Sequence, residues 1–525
     1  MRAKKIILTG NNLRTEDLLA FVSNEKTTVS IARVAYTRIR RSRSFLEREA
    51  TRKIIYGVNT GFGPMASYIV GKHNLEELQR NLVLGHAVGM GQSLPNKFVL
   101  ASMLVRLNTL VRGYSGVSVQ LIDRLKDYIN RRIVPIIPEH GAVGTSGDLT
   151  QLAHIALALI GEGEVFYKGR HEHTKTVLKK LRLKPYVLKS KEGLALINGT
   201  STMSGIASLL MHDAEQILSV SIRNSAFALE LVGALSDSVS KRLHDLRPHD
   251  GQVITAQILR RLLSSSKLLK SRTTLIKEIE INSEIHKIND HIQEIYSFRC
   301  IPQILGPVLD TYRKTKSVIN IEINSVTDNP IIDVASKQFI HGGNFHGDYV
   351  AAYVDQLKIA LVKLSMLSER RINFMLNSRL NEKFPPFLNL HTPGLTIGLQ
   401  GLQFVATSTT AQNQSFAYPH HIHSIPTNAD NQDVVSMGTD TALIAAKVVD
   451  NMYIVLAIEL VVLTQIVDYL DVQDKLSDSS KELYRLTRRQ FPKLYEDRVI
   501  VRQLASLVET VKKNEDLLIH GLSNR

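Results

Sequence analysis

Residues 142–149 read Ala-Val-Gly-Thr-Ser-Gly-Asp-Leu. Leu149 then opens an apolar run in which Leu149, Leu152, Ala156 and Leu159 recur at helical spacing. The run predicts a helix that stops at Gly161. Two readings of the turn before it stand side by side. In the first, Thr145 or Ser146 caps the helix and Asp148 sits in its first turn. In the second, the amide nitrogen of Gly147 attacks the carbonyl of Thr145, because glycine has no side chain to block the approach. Loss of water, including the Ser146 hydroxyl, then leaves an imidazolone ring with an exocyclic methylidene. No ordinary side chain supplies such an electrophile. The segment alone leaves both readings open.

Outward from this turn, helical patterning dominates. Residues 5–9 predict a short strand, and 75–88 and 98–111 predict helices. Residues 164–168, followed by Gly169, predict a small hairpin. The basic stretch 175–192 contains Pro185 and reads as a surface excursion. Beyond residue 201 the pattern is one of long helices, over 203–233, 283–296, 348–374, 439–472 and 479–490. The expected fold is mostly α, a long central helical bundle with an N-terminal domain carrying the 142–149 turn. The division expected is 1–200 for that domain, 201–472 for the bundle and 473–525 for a C-terminal helical segment.

The 525 residues are 44% hydrophobic and 22% charged, which marks a globular chain, and the formal net charge of +16 favours anionic ligands. No zinc-finger spacing, RNP-type aromatic motif or P-loop supports nucleic acid as a partner. The basic runs 38–43, 175–184 and 260–272 read as solvated faces. One cysteine, Cys300, rules out an internal disulfide and fits a reducing compartment. The first ten residues hold too short an apolar stretch for a signal peptide. Residues 452–467 are the greasiest segment, but Glu459 lies inside it, which argues for a buried bundle helix over a membrane span. The expectation is a cytoplasmic, oligomeric protein.

The loops between helices are rich in Gly, Asn, Gln and Pro: Tyr56-Gly-Val-Asn-Thr-Gly-Phe-Gly63, Ile197-Asn-Gly-Thr200, Asp328-Asn-Pro330, His341-Gly-Gly-Asn-Phe-His346 and Asn431-Gln-Asp433. Together with Ser146-Gly-Asp-Leu149 and Tyr296-Ser-Phe-Arg-Cys-Ile-Pro-Gln303, taken in this order, they resemble the aromatic amino-acid ammonia-lyase and aminomutase family. The resemblance to the family runs over about residues 54–438, and within it the chain looks most like bacterial tyrosine ammonia-lyases. The resemblance implies an almost all-α homotetramer with active sites built from more than one subunit. It implies a self-formed 4-methylidene-imidazole-5-one (MIO) ring from Thr145, Ser146 and Gly147, with no metal or diffusible cofactor. Tyr56 matches the catalytic base; a tyrosine titrating near pH 10 needs helix N-termini and donors around its phenolate for that task. Asn198 matches a donor to the ring carbonyl oxygen. Arg299 matches the holder of the substrate carboxylate. Tyr296 is carried over among the catalytic residues. Gly63, Leu149, Asn329, Phe345, Asn431 and Gln432 are carried over as lining the site. The implied reaction eliminates ammonia to give a trans-2-enoic acid.

Gly85 and His86 occupy the pair that meets the far end of the substrate side chain. Phenylalanine-selective members place apolar bulk there, while a histidine can hydrogen-bond a para-hydroxyl. Histidine-selective members also carry a histidine at this pair, but place a glutamate where Gln432 stands. His86 with Gln432 therefore points to L-tyrosine, giving trans-4-coumarate, and Gly85 leaves room for a further ring substituent. Histidine or phenylalanine elimination and an aromatic 2,3-aminomutase are the neighbouring readings. Four glycines between 57 and 74 favour an opening lid and hence a lyase. Thr145, where most of the family has alanine, is shared with at least one aminomutase. Readings of another class are a metal-dependent hydrolase, from the cluster His420, His421 and His423, and a non-catalytic basic scaffold. The first lacks zinc-helix spacing, and the second rests on net charge alone.

Overall fold

The computed structural model describes residues 4–273 and 292–522. The chain forms two compact units. The first comprises Met1–His212, Thr315–Asp355 and Pro419–Ala445; the second comprises Asp213–Lys314, Gln356–Tyr418 and Ala446–Arg525. Neither boundary of the contiguous division expected at 200 and 472 coincides with these units.

The first unit holds helices α1 (Leu75–His86), α2 (Asn96–Val111), α3 (Leu149–Leu159) and α4 (Glu192–Ile197). Four long helices follow: α5 (Ser201–Val232), α6 (Ile301–Glu322), α7 (Asp348–Leu376) and α8 (Gly438–Leu470). Four of the five unit boundaries fall inside these four helices, and the fifth, between Tyr418 and Pro419, falls in a loop. The expected long helices at 203–233, 348–374 and 439–472 are thus present with small shifts at their ends. The expected helix 283–296 lies outside the described residues up to 291; Tyr296 opens the short helix Tyr296–Arg299.

α2 is apolar on nearly all sides, so every residue from Phe98 to Val111 is buried, Arg106 among them. α8 is long and apolar enough to cross a membrane by composition, yet its most apolar window is 78% buried in the protein. Glu459, which argued against a span, lies fully buried 2.6 Å from the Arg371 guanidinium.

Strand Lys5–Leu8 pairs in parallel with Thr28–Ile31. Glu164–Tyr167 and Arg170–His173 form the expected hairpin, with Lys168 and Gly169 both at positive φ in its turn. The stretch 175–192 is not wholly a surface excursion. It begins in the helix Thr174–Lys180 and ends at Lys191 and Glu192, both fully buried. Burial is tolerated because the Lys191 ammonium lies 2.8 Å from the equally buried Asp328 carboxylate. Nor is the run 38–43 simply solvated: Arg43 donates to the carbonyls of Gly116 and Ser190 at 3.1 and 2.9 Å.

Candidate active site

The Thr145-Ser146-Gly147 turn is described in its encoded, unclosed form. Asp148, not Thr145 or Ser146, occupies the N-cap of α3, and its side chain makes no capping bond to α3. The two hydroxyls are engaged elsewhere. Thr145 Oγ1 donates to Gln432 Oε1 at 2.5 Å, and Gln432 Nε2 donates to Ser146 Oγ at 3.1 Å. Asp148 instead reaches across to the start of α5. Its Oδ2 accepts from the Thr202 and Met203 amides at 2.7 and 3.0 Å, and its Oδ1 accepts from the Thr439 hydroxyl. Those amides are orphan donors of a helix N-terminus, so a carboxylate there satisfies both. Burial pushes the Asp148 carboxyl up to about 6, against the pull of Thr439, the two amides and Arg106.

Backbone packing fixes the turn. Gly147 has φ +72°, and a Cβ on it would land on the carbonyl group of Gly199. Gly199 donates its N–H to Ser146 O at 3.2 Å and accepts from the Asp148 amide at 2.9 Å. Gly199 has φ +146°, and a Cβ there would collide with Thr327 O and with Nη1 of Arg106. Gly144 has φ +80°, and its carbonyl accepts from Ser436 Oγ at 2.9 Å and from the Gly347 amide at 3.0 Å. Only glycine fits at 147 and 199, and at 147 that is also the residue whose nitrogen is free to attack.

The loop bearing Gln432 closes on itself through paired backbone bonds between Thr427 and Gln432. Between them Asn428, Ala429 and Asp430 all hold positive φ. Asn428 faces Gly63: a Cβ at Gly63 would lie 2.7 Å from Asn428 Nδ2. The Gly63 amide in turn donates to Tyr56 Oη at 3.0 Å. Tyr56, Gly63, Gln432 and the triad are therefore joined through one pair of loops.

Asn198 caps the C-terminal end of α4; it is buried, and its Oδ1 has no hydrogen-bond partner. The group that reaches Ser146 O is the neighbouring Gly199 amide. His86, at the end of α1, donates through Nδ1 to Leu82 O at 2.8 Å in its own helix. Nothing lies within 4 Å of a Cβ built on Gly85. Asn329 accepts from the Gly342 amide at 3.0 Å, tying the Asp328-Asn-Pro330 turn to the 341–346 loop. Phe345 in that loop and Leu149 are half-buried, and Asn431 is exposed. Tyr296 and Arg299 belong to the second unit, where the Arg299 guanidinium stacks 4.9 Å from the Tyr296 ring centre and donates to Gln293.

Sequence reasoning missed the buried charges behind the turn. Arg106, Asp148, Lys191 and Asp328 are all fully buried. The available signal was a lone arginine inside an apolar helix. Among the histidines, His421 Nδ1 lies 2.7 Å from Asp355, and His420 Nε2 lies 3.7 Å from Asp440. Among the described residues no three His, Cys, Asp or Glu side chains form a metal-holding group.

A family model described as aromatic amino acid lyase matches residues 13–489. The chain belongs to the aromatic amino acid lyase family. It is 36% identical to a histidine ammonia-lyase of Caldanaerobacter subterraneus over 525 residues, covering 98% of this chain and all of that protein. It is 38% identical to a tyrosine 2,3-aminomutase of Chondromyces crocatus, covering 93% of each. The solved tyrosine aminomutase of Streptomyces globisporus superposes with a TM-score of 0.93 at 36% identity, over 97% of each chain. Aromatic amino acid lyases close an MIO group from their own chain, and the triad here is Thr145-Ser146-Gly147. The local geometry fits that closure. The slots where side chains at 147 and 199 would sit are filled by backbone and by Arg106, and Ser146 O already receives an N–H. The chain is thus a carbon–nitrogen lyase by family.

Proposed function

We propose that this protein eliminates ammonia from an aromatic L-amino acid. The observation that carries the reading is the Thr145-Ser146-Gly147 turn, with Gly147 at φ +72° against Gly199 and both hydroxyls engaged by Gln432. The closed triad supplies an electrophilic carbon at Ser146 Cβ toward the substrate amine. The remaining chemistry belongs to side chains. Tyr56 takes the β-proton on Oη, whose other face accepts the Gly63 N–H. The Gly199 N–H stabilises charge on Ser146 O. Arg299 holds the substrate carboxylate, and Tyr296, Asn329 and Phe345 line the site.

Two substrates are each favoured by a separate observation. Histidine is favoured by the relatives, several of which are histidine ammonia-lyases at 36–38% identity. Tyrosine is favoured by the residues: an amide at 432 where histidine-selective members place a carboxylate, His86 with Nε2 left over, and open space at Gly85. An amide cannot pair with an imidazolium as a carboxylate does, and such polar mismatches discriminate strongly. The deciding experiment is turnover of histidine, tyrosine, phenylalanine and dihydroxyphenylalanine by the pure protein. Urocanate as the main product sinks the tyrosine reading; 4-coumarate sinks the histidine one. A β-amino acid as the main product replaces the lyase with an aminomutase. A homotetramer and a cytoplasmic location complete the proposal, the latter supported by the single cysteine.

A further inference from the structure

Closure of the triad leaves one carbonyl in the ring. The five ring atoms are Thr145 C, Ser146 N, Ser146 Cα, Ser146 C and Gly147 N, so the oxygen retained on the ring is Ser146 O. A nucleophile bonding to Ser146 Cβ would push the double-bond pair toward this oxygen, so a donor aimed at it would stabilise the negative charge that develops there. Its donor in the structure is the Gly199 amide, at 3.2 Å. Glycine is the residue least able to hold a backbone amide in place, and a donor aimed at a developing oxyanion is effective only when fixed beforehand. Something outside the loop must therefore fix Gly199.

We infer that Arg106 is a positioning residue for the electrophile, holding the Gly199 amide against Ser146 O. Its guanidinium sits in the slot a Gly199 side chain would fill. Nε and Nη2 both donate to Ala195 O in α4, Nε at 2.9 Å, and Nη1 donates to Thr327 O at 3.0 Å. Thr327 O closes the same slot from the other side. One planar fork thus clamps the end of α4 to the 327–330 turn, with Gly199 between. A lysine, with a single nitrogen, cannot span the two carbonyls in this way. Among the described residues Arg106 makes no ion pair with a carboxylate, and its hydrogen bonds are all to backbone oxygens. Burial lowers its pKa to about 10, with Asp328 and Asp148 opposing, so it stays charged at neutral pH.

The inference rests on the triad closing, and the test separates the two. Wild-type protein, Arg106→Lys and Lys191→Met are compared by intact mass, which reads closure as the loss of two waters. The rate at which cyanide consumes the ring absorbance is then measured on the matured molecules. Lys191→Met disturbs the same buried charge cluster without touching Gly199. Arg106→Lys is expected to slow cyanide addition on the order of tenfold, while Lys191→Met adds cyanide near the wild-type rate. A wild-type rate in Arg106→Lys, or equal slowing in Lys191→Met, overturns the inference. Should the variants not fold, amide exchange in the wild-type protein decides. The Gly199 amide is expected to exchange only through global unfolding, and fast local exchange sinks the clamp. If wild-type protein shows no loss of two waters, the ring reading fails, while the exchange measurement still reports on the clamp.

Discussion

On the mechanism proposed above, two glycine-rich turns of the first unit serve the same chemistry, and they are held differently. Around the triad, the Cβ positions of Gly147 and Gly199 are occupied by backbone from segments remote in sequence, and in the second case also by a buried guanidinium. In the turn that follows Tyr56, Gly57 and Gly63 face the ends of the Leu194 and Asn428 side chains, Gly61 meets the carbonyl and Cβ of nearby Met65, and Gly71 meets nothing within 4 Å. Met65, Tyr68 and Ile69 of this second turn are also largely exposed. Around Ser146 O, long-range backbone contacts leave no room for adjustment. The turn after Tyr56 is held by side-chain ends and short-range contacts, and its slack lies at Gly71.

This contrast can be broken at four places. The largest effect is expected from Gly199→Ala. The added methyl meets Thr327 O and Arg106, so the triad should not close, and the mass should retain both waters and activity disappear. A variant that still matures would show the packing to be looser than described. Next, Tyr56→Phe should leave the ring absorbance intact but lower kcat about a hundredfold to ten-thousandfold, the range of a lost general base. Unchanged kcat would remove Tyr56 from the reaction. Third comes Asp148→Asn. The Asp148 carboxyl sits at about 6 in the folded protein, above its unfolded value, so the folded state binds this proton more tightly. Wild-type stability should therefore rise relative to the Asn variant as pH falls from about 6 to about 4, by a total of about 3 kcal/mol. Urea unfolding across that range checks it, and parallel pH curves would refute it. The smallest effect is expected from Gly71→Ala: less than about 1 kcal/mol in stability and little change in turnover. A large loss of activity there would mean the second turn is as constrained as the first.

What could be read from the sequence divides along similar lines. The turn at 142–149, the helices at 203–233, 348–374, 439–472 and 479–490 and the hairpin at 164–173 are local patterns, and these were legible; α6, with Pro307 inside it, was not expected. The identity of the cap was not legible either. Asp148 looked like a first-turn acid of its own helix because nothing in the sequence brings Thr202 and Thr439 to it. Lys191 was hidden in a basic stretch because its partner Asp328 is remote in the chain. Arg106 was visible as a misfit in an apolar helix, but its acceptors are backbone carbonyls, which carry no residue signature. Asn198 came to the ring oxygen only through the resemblance; the Gly199 amide, which donates to Ser146 O at 3.2 Å, is a backbone group and carries no residue signature.

The partners of the turn come late in the chain. Thr327 closes on Gly199, Gln432 spans Thr145 and Ser146, Ser436 holds Gly144, and Thr439 holds Asp148. A nascent polypeptide therefore carries its reactive tripeptide through most of translation before the last of these grips has left the ribosome. If closure needs these grips, the closed ring is a covalent record that the far end of the chain has arrived and docked. A chain truncated at residue 400 is expected to accumulate with both waters still in place, and a matured truncation product would show that closure needs less of the protein than these contacts imply.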